Sequence, residues 1–386
     1  MAANKWMTRL QKHETARKME YNPFAHVIRY SSPYLNWVFG NTHGIPLGKK
    51  IAVWGPDKAG KTATCYDLIG NIHREDPDAI CVRYDTEVRD DVQLTPAMAA
   101  AFGIDMDRYI CYLGNEPEKI FDHINNEIRA MCQDGAPIRA IFIDSITGII
   151  GRRAMNAEGI MTQQIGDDAK TQADGLKMIL GTLHQNKIAL ILTAQARANL
   201  DPQTAKYVPY KMAGAWYLKH YVEYTLKLEP AGGEFKNKTL SGAELVDDSL
   251  TDVLGKSDKI GHRIRATMEN SSCGPKGRKA EFTFSYREGV INRHEEAFQL
   301  AITRGIVDRP NNTTYVMPDF PKGTGKDMSW RGKAVFLKAV EDNTDLYQQI
   351  IERVREQDID LQEKGANSRF YMPEESEGSP EPLTAD

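Results

Sequence analysis

From Lys50 onward, short apolar runs alternate with longer stretches of helical spacing, a pattern that predicts α/β layering. The apolar runs are Ile51–Trp54, Ile80–Tyr84, Ala140–Ile143 and Leu190–Thr193. Between the second and third, Ile120, Phe121, Ile124, Ile128 and Met131 recur at helical spacing across Pro117–Cys132. Strands separated by helices on this scale favour a mainly parallel sheet with right-handed crossovers. Residues 1–45 read differently, as an arm: a polar helical stretch followed by a turn-rich one. After Leu228 a Gly-rich, charged stretch running to Lys259 predicts hairpins or a mobile insertion. Ile264–Met268 and Ala280–Tyr286 then read as two antiparallel strands around a basic turn. Helical patterns return between Asn292 and Gln357, with Trp330 expected in the core of a small domain. The expected organisation is an arm (1–45), a core (46–291), a small C-terminal α/β domain (292–366) and a tail (367–386). The tail carries Glu374, Glu375, Glu377, Glu381 and Asp386, with no basic residue after Arg369, and is expected to be disordered.

Composition narrows the function classes. A net charge of −4 over 386 residues gives no global attraction to nucleic acid, so any such site must be local. Five cysteines, odd in number and without a CxxC pair, argue against a disulfide framework or a zinc site. No apolar run approaches the length of a membrane span, and the charged N-terminus lacks the apolar core of a signal peptide. The expectation is a soluble, cytoplasmic protein.

The chemistry begins at Gly55, Pro56, Asp57, Lys58, Ala59, Gly60, Lys61 and Thr62, which fit GxxxxGK[ST]. The apolar strand Ile51–Trp54 enters this loop, and a helix-compatible run starting at Ala63 leaves it, the context that phosphate binding requires. Glycines let backbone N–H groups curl around phosphate oxygens, and the helix N-terminus adds a favourable dipole. Lys61 would neutralise β/γ-phosphate charge, and Thr62 would hold Mg²⁺ through its hydroxyl, so ATP and Mg²⁺ are the expected ligands.

Ligands of parallel sheets sit beyond the carboxyl ends of the strands, and three other strand ends carry polar groups. Asp144 closes AIFIDS and is expected as the second Mg²⁺ anchor, reached through water; the competing reading is a helix N-cap. Glu87, just past Ile80–Tyr84, can polarise the water that attacks the γ-phosphate, with Asp85 as its rival. Gln195 closes ALILTAQ and can report the γ-phosphate by hydrogen bonding.

Two long, irregular-looking stretches leave the same edge. Residues 148–168 contain Arg152 and Arg153; residues 196–215 contain Arg197, Lys206 and Lys211 together with Tyr207 and Tyr210. Basic residues interleaved with aromatics can track a phosphodiester backbone and stack bases. Mobile surface loops are the plainer alternative.

These segments together resemble the RecA family of recombinases, including phage-encoded members of the UvsX type. The resemblance runs over roughly residues 30–350 and rests on SSPYLNWVFG…GIPLGKKIAVWGPDKAGKT, VRYDTE, AIFIDS, LGTLHQNKIALILTAQ and KAEFTFSYREGVIN. It implies that Glu87 is the catalytic glutamate, Gln195 the allosteric glutamine, and the two long loops the DNA-binding loops. It adds Lys170, Lys177 and Gly214 as DNA contacts. It further implies a homo-oligomeric helical filament on single-stranded DNA, pairing with homologous duplex DNA, and single-strand-binding and loading proteins as partners. Two departures stand out. Glu269 and Ser271 fall where many members carry two lysines that reach a neighbour's ATP, and Lys276, Arg278 or Lys279 are the nearby replacements. Thr95–Met98 offers no aromatic for adenine stacking. A ring-forming helicase on the same core, or a mediator that binds ATP without cycling it, are the alternatives.

Overall fold

The computed structural model describes residues 26–89, 94–151, 166–232, 237–240, 242–251 and 257–370. Val27–Ile28 (β1) pairs antiparallel with Ile45–Pro46 (β2), and the helix Pro33–Trp37 (α1) lies between them. The layered core follows: Lys50–Gly55 (β3), Lys61–Glu75 (α2), Ile80–Asp85 (β4), Pro96–Phe102 (α3) and Tyr109–Leu113 (β5). Helical turns over Glu118–Asp122, Ile124–Ile128 and Arg129–Gln133 fill the predicted helix, the first two with π-type hydrogen bonding. Next come Ile138–Asp144 (β6), Asp167–Gln185 (α4), Ala189–Ala198 (β7), Tyr210–Met212 (β8), Ala215–Tyr221 (α5) and Tyr224–Pro230 (β9). Val246–Thr251 (β10) and Ser257–Lys259 (β11) form a separate hairpin, and Gly261–Ser271 (β12), Lys279–Ser285 (β13) and Gly289–Ile291 (β14) complete the large sheet.

The sheet runs β14-β13-β12-β9-β3-β7-β6-β4-β5. The neighbours from β9 to β5 pair parallel, and those from β9 to β14 pair antiparallel. Alternation within each strand divides the core between the two faces. Ile51, Val53, Ala140 and Phe142 pack with Leu68, Ile69 and Ile72 of α2. Ala52, Trp54, Ile141 and Ile143 pack with Leu176, Ile179 and Leu183 of α4 on the other side. Burial on both faces explains why these strands read as unbroken apolar runs. Strands β5 and β9 escaped the sequence reading: β5 is an edge strand with Ile110, Tyr112 and Leu113 exposed, and β9 mixes Thr225 and Lys227 into its apolar positions.

Of the arm expected over 1–45, residues 26–45 pack onto the core of their own chain. Ile28, Tyr30, Leu35, Val38, Phe39 and Ile45 are buried in the main core, because their apolar side chains cover the α2 face of the sheet. Residues 1–25 lie outside the described residues.

The C-terminal part is Arg293–Thr303 (α6), Asp308–Asn311 (β15), Thr314–Met317 (β16), Met328–Arg331 (β17), Lys333–Asp342 (α7) and Thr344–Phe370 (α8). Its three-stranded antiparallel sheet sits within what reads in sequence as helical pattern. Phe298, Tyr315, Met317, Phe336 and Ile350 form its own core, and half-buried Trp330 stacks on Phe336 with ring centroids 4.7 Å apart. α8 runs to Phe370, beyond the expected boundary at 366, while 371–386 lie outside the described residues.

Two buried carboxylates fasten this part to the core. Asp358 of α8 accepts His43 Nε2 at 2.7 Å, both terminal nitrogens of Arg278 at 2.9 Å, and Arg304 Nη2 at 2.9 Å. Burial pushes this carboxyl up, yet hydrogen bonds from His43 and Arg278 hold it well below the usual carboxylate range. Arg278 also stacks over Trp37, so its guanidinium is held on two sides within its own chain.

Glu296 of α6 accepts Ser32 Oγ at 2.6 Å and Tyr34 N at 3.1 Å, and burial pushes its pKa up to about 8, with Asp67 and Glu295 adding to the rise. The folded state therefore holds a proton that the unfolded chain releases near 4.5. Stability from this group is greatest at acid pH, falls as pH rises from about 4.5 to about 8, and is level beyond. Glu296→Gln keeps both acceptor contacts and removes the charge. Thermal melts should show a Tm a few degrees above wild type beyond pH 8, with a shallower fall below it; identical pH profiles would contradict this.

Candidate nucleotide and nucleic-acid site

The carboxyl ends of the central strands meet in register: Gly55 lies opposite Gln195, and Asp85 opposite Asp144. A cleft of about 980 Å³ opens above them, lined by Lys61, Thr62, Glu87, Asp144 and Gln195 among others. The glycine-rich loop forms its floor. A Cβ on Gly55 would lie 2.1 Å from the Leu228 carbonyl oxygen, so only glycine lets β3 turn there against β9. Gly60 adopts φ +87° immediately before α2, which places the loop over that helix's N-terminus. Asp57 and Lys58 are exposed at the tip and Ala59 is buried beneath it; Ala63 continues the lining into α2.

Lys61 Nζ donates to the carbonyls of Gly55 at 3.0 Å and Pro56 at 2.9 Å. Burial lowers its pKa, opposed by the nearby Asp144, Asp57 and Glu87 carboxylates. Asp144 is a hub. Its Oδ2 accepts Thr62 Oγ1 and Arg83 Nη2, each at 2.8 Å, and its Oδ1 accepts Thr193 Oγ1. The residue does not cap a helix, since the short helical turn Ile146–Gly148 starts later. Arg83 is buried and bridges to Tyr66 of α2 at 3.0 Å, which ties the strand end to the helix that follows the phosphate loop.

Asp85 and Glu87 have different surroundings. Asp85 is buried and accepts the backbone N–H groups of Glu87 at 3.0 Å and Arg89 at 2.6 Å, so it shapes the turn. Glu87 lines the cleft and remains partly exposed. Its Oε1 accepts Gln195 Nε2 at 2.8 Å and Ser145 Oγ at 3.3 Å; its Oε2 meets Arg89 Nη1 at 3.0 Å.

The second long loop is not irregular. β7 continues past Gln195 and pairs antiparallel with β8, with Arg197 opposite Lys211 and Ala198 opposite Tyr210. Buried Asn199 holds the loop inside by donating to Thr204 Oγ1 and the Val208 carbonyl, both at 2.9 Å. Alternation that mixes charge with apolar residues obscured this hairpin in the sequence. Arg197, Lys206, Lys211, Tyr207 and Tyr210 are all exposed on it. At its base the Ala213 N–H donates to the Gln195 carbonyl at 2.8 Å, and Gly214 at φ +71° leads into α5. Lys170 and Lys177 are exposed on α4, two turns apart. Arg152 and Arg153 lie outside the described residues.

Sequence reasoning missed the aromatic wall of the cleft. Thr95 caps α3 and Met98 does reach the cleft, but the rings come from elsewhere: Tyr66, Phe102, His262, Phe284 and Tyr286. Phe102 and Phe284 lie 6.0 Å apart, and His262 Nδ1 is 3.1 Å from Tyr286 Oη. The available signal was the period-2 spacing of Phe282, Phe284 and Tyr286, which sets one face of β13 and its extension toward the nucleotide loop. Glu269, outside the lining of this cleft, accepts Trp54 Nε1 at 2.9 Å, and burial raises its pKa.

A glycine-rich loop between a central parallel strand and a helix, with a carboxylate closing a nearby strand, is the architecture of the P-loop NTPases. Within that class, the RecA N-terminal domain family matches residues 22–291, and the chain belongs to the RecA family. It is 24% identical over 343 residues to Protein RecA of Streptomyces ambofaciens, covering 89% of this chain and 79% of that one. Protein RecA of Thermotoga sp. (strain RQ2) is 23% identical over 315 residues, 81% of this chain and 78% of that one. Protein RecA of Mycoplasmopsis pulmonis is 22% identical over 315 residues, 82% and 80% of the respective chains. Among the described residues no helix is long and apolar enough to cross a membrane.

Proposed function

We propose that this protein is an ATP-dependent DNA recombinase that assembles on single-stranded DNA, pairs it with homologous duplex and hydrolyses ATP to release it. Family membership supports the recombinase role. The observation that carries the finer reading is the double attachment of Gln195: its side chain holds Glu87 in the nucleotide cleft, and its carbonyl holds the base of the basic hairpin. One residue thus joins the phosphate end of the cleft to the candidate DNA element, so nucleotide state can bias polymer affinity.

In this reading Gly55–Thr62 cradles the triphosphate and Lys61 neutralises its charge. Thr62 and Asp144 bring hydroxyl and carboxylate oxygens side by side, a donor pair suited to Mg²⁺, which neutralises phosphate charge when bound. Glu87 orients and deprotonates the attacking water. Arg197 and Lys211, like charges directly opposite on paired strands, repel one another unless a polyanion lies across them. Lys170 and Lys177 extend the cationic track. Tyr286, exposed in the lining of the same cleft, offers a face for the base.

The test is ATP turnover with and without single-stranded DNA, joined to negative-stain imaging of the same samples. Turnover stimulated by DNA, with helical filaments in ATP, is expected. Closed rings would favour the helicase reading, and ATP binding without stimulated turnover the mediator reading, which the Glu269 and Ser271 departures motivate.

A further inference from the structure

Lys61 meets the triphosphate from within its own loop and offers no planar guanidinium, and Arg83 is buried under Asp144, so Arg83 is not free to follow a leaving phosphoryl group. Arg278 is bound to Asp358, and Glu269 puts a carboxylate where the resemblance places a cation. Among the described residues that line the cleft, Arg89 supplies its guanidinium. Its side chain is 58% exposed, and its contact with Glu87 Oε2 is a single 3.0 Å ion pair.

The turn that carries Arg89 is built rather than slack. Asp85 caps it through two backbone N–H groups, and Val88 stands between Glu87 and Arg89 at φ +53°, a conformation β-branched residues rarely adopt. Strain of this kind persists where the surroundings over-determine it and concentrates at functional sites. Here it accompanies a carboxylate and a guanidinium two residues apart that both line the phosphate cleft.

We propose that Arg89 is a catalytic arginine acting within its own subunit, exchanging the Glu87 carboxylate for the γ-phosphate when a triphosphate enters. The inference rests on the nucleotide-hydrolysing reading given above. A γ-phosphate carries more charge than a carboxylate and offers several oxygens to the planar guanidinium, so it competes successfully for Arg89. The exchange does two things at once. It places positive charge on oxygens that gain negative charge during transfer, and it frees Glu87 Oε2 for the water. The water oxygen then bonds to the γ-phosphorus as the bond to the β–γ bridging oxygen breaks, its electron pair leaving with ADP. The water's proton passes to Glu87 and on to solvent.

The experiment measures steady-state turnover of full-length wild type, Arg89→Ala and Arg89→Lys with saturating single-stranded DNA and Mg²⁺. Binding of a fluorescent ATP analogue is measured in parallel. Arg89→Ala should lose about 10³-fold in kcat, the scale of an arginine finger, while analogue binding changes by less than about threefold. Arg89→Lys should recover part of kcat, since it restores charge without the planar fork. An Arg89→Ala kcat within about threefold of an active wild type would overturn the proposal alone, as would a defect confined to analogue binding. A wild type that neither binds nor turns over ATP would overturn the nucleotide reading itself.

Discussion

Lys61→Ala should abolish DNA-stimulated ATP turnover, lowering kcat by roughly 10²–10³-fold or more. The Lys61 ammonium lies within the loop it closes, beside the Asp144 and Glu87 carboxylates, and alanine leaves the triphosphate charge unopposed at that point. The fold should survive, because Lys61 is only partly buried and its contacts are two loop carbonyls. Unchanged turnover in a stopped-time phosphate-release assay would remove the cleft from the mechanism. This variant differs from Arg89→Ala in kind: loss of Lys61 should weaken nucleotide binding as well as turnover, whereas loss of Arg89 should spare binding.

The second large effect concerns the hairpin between β7 and β8. Converting Arg197, Lys206 and Lys211 together to Ala removes three exposed cations from one element. Each cation that contacts a phosphate releases counterion on binding, with a salt slope near −0.7 per contact for single strands. The slope of log affinity against log salt should therefore shrink by about 2, with affinity down by one to two orders of magnitude at moderate salt. Fluorescence anisotropy with a labelled oligonucleotide at several salt concentrations reads both quantities. An unaltered slope would exclude the hairpin as the DNA element. Hairpin folding should persist or improve, because Arg197 and Lys211 face each other as like charges in the unliganded pair, and Asn199 holds the loop from inside.

The two effects should be linked through Gln195. Its amide touches the carboxylate proposed to handle the water, and its carbonyl anchors the hairpin, a path of a few bonded contacts between cleft and hairpin.

Local pattern alone determined much of this protein. Buried central strands announce themselves as apolar runs because both faces are covered, and the phosphate loop because backbone curvature at Gly55 and Gly60 tolerates no side chain in their places. The acidic and amide strand ends follow from the rule that parallel sheets gather ligands at one edge, so Asp144 and Gln195 were legible as candidates before any coordinate. What only the tertiary structure decided were relations between residues distant in sequence. The choice between Asp85 and Glu87 turns on which is spent on backbone N–H groups, and the anchoring of Arg278 on an aspartate 80 residues away. The aromatic wall draws on α2, α3 and the strands from β12 onward, and Arg89 meets Glu87 in the cleft only through a turn held by Asp85. The physical reason is common to all four: spacing along a chain reports periodicity and backbone demand, whereas a hydrogen-bonding group's availability depends on which partners packing brings within about 3 Å of it.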